Sequence, residues 1–309
     1  MSFTLGTMLL AVITAVACAL PGTFVVLRKG SMLVDAIAHS VFPGIVVGYF
    51  ITRNFDSPLL IVVGSALAGL LVVLGAEWLS RTGLLTGDAP QGLIFPAVFS
   101  GGVILVSMNF ANLHLDTHTV LAGDLNLAAF RHLTIGGVSL GPSYMYVMLA
   151  VLLVNAAFLT VFYPKLKVTT FDPEFADTLG IRGGLINTAF MFLVSVTVTA
   201  AFHAAGAILV IALVVVPPAT AYLISTRLPV MITLTVVIAA VGAAVGFWLA
   251  YVLDAATSAG MAVFYGLMFA VALAGTKIAQ RRRQLAHHYS SSATQTASVA
   301  ARPSGSTVS

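Results

Sequence analysis

Asp35 and His39 stand four residues apart in GSMLVDAIAHSVFPG, residues 30–44, a stretch that is otherwise apolar. On a helix their side chains lie about 40° apart and ~6 Å along the axis, so they share one face. A carboxylate oxygen and an imidazole nitrogen placed this way can hold one ion, and the donor pair suits Mn²⁺, Zn²⁺ or Fe²⁺. Met32 lies one turn earlier, but a thioether adds little for a hard ion. An Asp–His pair can also satisfy itself inside a helix bundle. Ionisable groups in apolar segments usually mark a pathway, which favours an ion path. Two ligands are too few for a tight site. Two copies meeting along this helix would supply two carboxylates and two imidazoles.

Three other stretches carry polar chemistry. His114, Asp116 and His118 alternate in NLHLDTHTVLAGDLNL, so an extended chain would set all three on one side. They suit an external metal-collecting loop, or equally a polar surface for a binding protein. In TTFDPEFADTLGI, Asp172 is an N-cap, Pro173 suits the first helical position and Glu174 favours the positive helix end. Phe175 and Leu179 share a face there, and Gly180 is a helix stop. A short amphipathic helix therefore lies between two apolar segments, either an ordinary interfacial helix or a knob for a soluble partner. In HAAGAILVIALVVVPPATAYLIS, Pro217-Pro218 removes two backbone donors and should kink or break a spanning helix. His203 opens that run, where a secondary ligand and a simply hydrogen-bonded histidine are both open readings.

The elements that must position these residues are membrane helices. Of 309 residues, 59% are hydrophobic and 8% charged, against about 25% charged in a soluble domain. A spanning helix needs about 20 apolar residues. Candidate spans fall near 3–27, 31–51, 58–79, 91–110, 143–163, 184–202, 206–225, 230–253 and 258–276. The count is nine, or eight if His203–Gly206 interrupts one longer feature instead of turning the chain around. The predicted class is an all-α polytopic membrane protein. The first span has no basic residue before Arg28, so it reads as a retained helix and not a cleaved signal. The positive-inside rule puts Arg28, Lys29, Arg81, Lys165, Lys167, Arg182, Arg227 and the basic end at 277–283 in the cytoplasm. Residues 1–280 form the membrane domain, and the Ser/Thr-rich 281–309 is predicted to be a disordered cytoplasmic tail. The basic end reads as a headgroup anchor, not a nucleic-acid patch. One cysteine, Cys18, excludes an internal disulfide. Neither a G-x-x-x-x-G-K-[ST] loop nor an H-E-x-x-H motif is present, so any ATP used is hydrolysed by another chain and zincin chemistry has no support.

Four stretches, in order from residue 22 to 225, resemble the metal-ion ABC importer permease family. GTFVVLRKGSMLVDAIAHSVFPGI is similar to that family's second-helix signature, with Asp35 and His39 on its Asp-x-x-x-His. QGLIFPAVFSGGVILVS with HLDTHTVLAGDL resembles its central part, FDPEFADTLGI its coupling segment, and GAILVIALVVVPPATAYLIS its late proline-containing helix. The resemblance implies a type II ABC importer permease-like bundle in the bacterial inner membrane, working as a dimer with itself or a homologous permease. It implies an ABC ATPase pair docked on the helix at 172–180 and an extracytoplasmic metal-binding receptor. It also implies manganese, zinc or iron passing Asp35 and His39, with no resident cofactor and no catalysis by this chain. A proton-coupled secondary transporter needs no docking knob, and a metal-chelate permease has no evident use for a buried Asp–His pair.

Overall fold

A computed structural model describes residues 3–52, 58–85, 87–109, 125–130, 132–135, 138–181 and 183–300. The order is α1 (Phe3–Leu27), α2 (Ser31–Thr52), α3 (Pro58–Arg81), α4 (Ala89–Asn109), α5 (Leu125–Ala129), β1 (His132–Ile135), β2 (Val138–Pro142), α6 (Ser143–Phe171), α7 (Pro173–Thr178), α8 (Gly183–Ile224), α9 (Leu228–Val252) and α10 (Thr257–Ala300). Among the described residues, eight helices are long and apolar enough to cross a membrane. In hydrocarbon every backbone group must be paired within the segment, which a helix alone achieves for a single span.

The core is built on α1. Its buried side chains include Ala11, Ala15, Ala17, Cys18 and Ala19, small enough to let α6, α8 and α9 approach closely. Pro21 lies inside α1 and removes the donor that would meet the Ala17 carbonyl. Buried Asn155 of α6 replaces it, donating through Nδ2 to Ala17 at 2.9 Å and to Thr197 Oγ1 of α8 at 3.0 Å. Gly242 and Gly246 of α9 admit Tyr265, Phe264 and Met261 of α10.

The 42-residue α8 folds back on itself. Gly206 has φ 77 and ψ 167, a region essentially reserved for glycine. Phe24 of α1 meets Phe190 edge-on, ring centroids 6.1 Å apart. Two residues earlier, Gly22 abuts the Val214 carbonyl. On one continuous helix, residues 190 and 214 would be about 36 Å apart. Both touch the same turn of α1, so the arms 183–205 and 207–224 run in opposite directions. Together with the other seven long helices this makes nine membrane-length segments among the described residues, the larger of the two expected counts.

The break falls at the expected His203–Gly206 boundary and not at Pro217-Pro218. The backbone departs from helix at Gly206 and stays helical through both prolines. The prolines free the carbonyls of Leu213 and Val214, and the latter is accommodated against Gly22, which has no side chain to collide with it.

Two further differences concern the ends and the outer segment. α10 continues as helix to Ala300, where the sequence predicts disorder from residue 281. No Gly or Pro interrupts 280–300, and Gln, Arg, Leu and Ala there favour helix. The fold also includes a two-stranded antiparallel hairpin, with Ile135 opposite Val138 and Thr134 opposite Ser139. Its β-branched residues suit strands.

Chain ends and loops sort to two ends of the bundle. Phe3 packs on Phe130, 5.1 Å between ring centroids. Arg28 bonds Thr169, Thr170 and Asn187 at the opposite end.

Candidate functional site

α1 closes through Lys29, at φ 58, with Lys29 N–H donating to Val26 and Gly30 N–H to Val25 at 3.0 and 2.9 Å. This cap re-aims the chain, and α2 starts at Ser31. The back of α2 is held by close backbone approaches. A Cβ on Gly44 would stand 2.8 Å from the Gly64 carbonyl oxygen and 2.9 Å from the Ser65 nitrogen of α3. Gly69 of α3 meets Ile37 of α2 and the Ser195 hydroxyl of α8. Gly102 of α4 packs on Pro43. Small residues here are a condition for presenting the front of α2.

That front carries the Asp–His pair. His39 Nε2 is 3.5 Å from Asp35 Oδ1, with the side chains 31% and 34% exposed respectively. The separation exceeds that of a good N–H···O bond, so neither group fully satisfies the other. The His39 ring is braced by Phe95 and Phe99 of α4 at centroid distances of 5.4 and 6.2 Å. A third of each polar side chain faces out of the chain from an apolar helix. Facing lipid would be costly for an ionisable pair, so this face suits a second chain or a water-filled path.

His203 is not brought to this pair. It is exposed in the first arm of α8, beside Phe202. Among the described residues, no group of three or more His, Cys, Asp or Glu side chains can hold a metal. His114, Asp116 and His118 lie outside the described residues.

The helix at 173–178 forms as its sequence dictates. Asp172 caps it, accepting from Phe175 N–H at 2.9 Å. Pro173 occupies the first turn with Glu174. Gly180, at φ 69, ends the turn and donates its N–H to Asp177 at 3.0 Å. Ala176 faces inward at 1% exposure, while Phe175 and Leu179 stand 51% and 55% exposed. Among the described residues, nothing covers these apolar side chains.

One polar residue was not singled out from the sequence. Arg28 donates from Nε to Thr170 Oγ1 at 3.0 Å, from Nη1 to Asn187 Oδ1 at 2.7 Å and from Nη2 to Thr169 Oγ1 at 3.2 Å. Its guanidinium lies 5.0 Å from the Phe190 ring centroid. Burial pulls its pKa down to about 10, which still leaves it charged at neutral pH. Only a basic residue at a helix end was visible in the sequence; its partners lie 141 to 159 positions away.

Comparison with known proteins bears on this arrangement. The model of the ABC 3 transport family matches residues 1–276. The zinc transport system membrane protein TroD of Treponema pallidum is 42% identical over 268 residues, covering 87% of this chain and 72% of that protein. The manganese transport system membrane protein MntD of Bacillus subtilis is 37% identical over 272 residues, covering 88% and 92%. A chain of the solved PsaBC from Streptococcus pneumoniae superposes with TM-score 0.71 at 22% identity, covering 88% of this chain and 91% of that one, and so shares the fold. A multi-pass helical bundle with an outward-facing Asp–His pair and a capped helix between two long helices is thus a member of the ABC 3 transport family.

Proposed function

We propose that this chain is the membrane-spanning subunit of an ATP-driven importer for divalent metal ions of the manganese, zinc and iron group. The observation that carries this reading is the Asp35–His39 pair, two hard-to-borderline ligands at 3.5 Å on an outward face of α2. One chain offers half a coordination shell. A second copy, or a homologous permease, facing it across a two-fold axis would complete four ligands around the path, loose enough to release the ion. The zinc and manganese transport proteins that this chain resembles support the same cargo class. The metal is cargo here, and the chain needs no cofactor or catalytic group of its own.

In this reading ATP is hydrolysed by a separate pair of ATPase subunits. They dock on α7, so the Arg28 end of the bundle is cytoplasmic and the chain sits in the bacterial inner membrane. An extracytoplasmic receptor delivers the ion at the opposite end. Exposed Phe175 and Leu179 favour this over a proton-driven transporter, which has no use for an apolar knob. Replacing both with serine is expected to cut ATP-driven manganese uptake by at least ~10-fold, a loss of about 1.4 kcal/mol of docking energy. Co-purification of the ATPase should fall in parallel, with the permease inserted at normal levels. Full retention of ATPase and uptake would remove α7 as the docking element.

A further inference from the structure

Arg28 is bound in a way that packing alone does not require. Its three donor groups reach two separate elements: the last turn of α6 through Thr169 and Thr170, and the start of α8 through Asn187. Both threonine hydroxyls donate to the Leu166 carbonyl, at 3.2 and 2.6 Å. Their lone pairs are therefore left to accept from the guanidinium, whose planar fork matches them. Among the described residues no carboxylate forms an ion pair with Arg28. A half-buried cation held only by neutral partners is a costly way to fill space, and an apolar side chain would fill it at lower cost.

The position along the chain matters as much. Thr170 is followed by Phe171 and Asp172, and then α7 begins. Arg28 is followed by the left-handed Lys29 and Gly30, and then α2 begins, with Asp35 in its second turn. A polar cavity of about 290 Å³ beside Arg28 is lined by Glu77, Pro173, Ala176 and Asp177, so α7 has room to shift against the bundle.

We propose that Arg28 is a positioning residue that ties the stem of α7 to the start of α2, so that displacement of α7 moves the helix carrying Asp35 and His39. This rests on the importer reading above. Arg28 touches neither ion nor ATP. It converts a push on α7 into a tilt or shift of α2, with the Lys29–Gly30 turn as the hinge. Lysine keeps the charge but loses the fork and the stacking on Phe190.

The test uses the permease assembled with its ATPase in proteoliposomes, supplied with its extracytoplasmic receptor, with Mn²⁺ as the probe. Arg28→Lys should assemble normally and bind Mn²⁺ within about twofold of wild type. The ATP hydrolysed per Mn²⁺ transported should rise at least ~10-fold. Asn187→Ala should raise the same ratio, and the double variant should be no worse than Arg28→Lys alone, as expected of residues acting as one unit. If Arg28→Lys does not assemble, Asn187→Ala alone carries the test. A wild-type ratio in the variant that assembles overturns the inference, as does a loss of Mn²⁺ binding in step with transport. Failure of the importer reading looks different: wild-type protein itself then shows no ATP-driven Mn²⁺ uptake, and the role of Arg28 falls with it.

Discussion

Asp35→Ala and His39→Ala are each expected to lower manganese and zinc accumulation at least ~100-fold, beyond the ten- to hundredfold typical of losing an outer-shell partner at a metal site. The strong effect follows from the symmetry of the proposed site. One substitution removes two ligands of four when two identical copies meet, leaving either two imidazoles or two carboxylates. Asp35→Asn keeps an oxygen but loses the charge that attracts a divalent ion, and should fall between alanine and wild type. The double variant should resemble the worse single one, because a pathway already closed cannot close further. The measurement is metal content of cells lacking their own manganese and zinc importers and expressing each variant at matched membrane levels. Accumulation equal to wild type in both alanine variants would sink the assignment of the ion path to α2.

Gly44→Ala carries the second large effect, and it acts on the scaffold. The new methyl would collide with the Ser65 Cα and lie 2.8 Å from the Gly64 carbonyl oxygen. These are backbone atoms of α3, which cannot swing aside as a side chain can. The cost should be at least ~1–3 kcal/mol, the usual range for overpacking, and it falls on the contact that sets the angle of α2. Gly101→Ala is the matched control, since nothing lies within 4 Å of a Cβ there. Alanine in that exposed helix position should stabilise by about 0.5–1 kcal/mol. Thermal unfolding in detergent should therefore move in opposite directions for the two variants. An unchanged melting temperature for Gly44→Ala would contradict the close approach of α2 to α3.

The residues readable from the sequence are those whose meaning is local. Asp35 and His39 needed only the helical period to be placed on one face, and the structure sets them 3.5 Å apart. The cap at Asp172, the proline at 173 and the stop at Gly180 follow from backbone rules within nine residues, and all three form. The reversal in α8 was legible in place but not in kind: span lengths put a boundary at His203–Gly206, while the choice between an interruption and a turn-around depended on the positive φ of Gly206 and on packing against α1. Pro217-Pro218 is the louder local signal, but an apolar helix can absorb prolines where a glycine such as Gly22 receives the freed carbonyl. Arg28 was illegible for another reason: its meaning depends on Thr169, Thr170 and Asn187, brought to it only by the packing of α6 and α8 on α1. The continuation of α10 to Ala300 follows local helix preference, which the Ser/Thr-rich composition hid.

The central claim is that this chain conducts divalent metal only when an ATPase drives it. The direct measurement is Mn²⁺ uptake into proteoliposomes containing the permease with or without its ATPase partner, in the presence and absence of ATP, with the metal-loaded receptor protein supplied in every condition. Uptake is expected in the complete system with ATP, and in none of the other three conditions. Sustained Mn²⁺ flux through the permease alone, driven by a proton gradient, would contradict the claim and identify a secondary transporter instead.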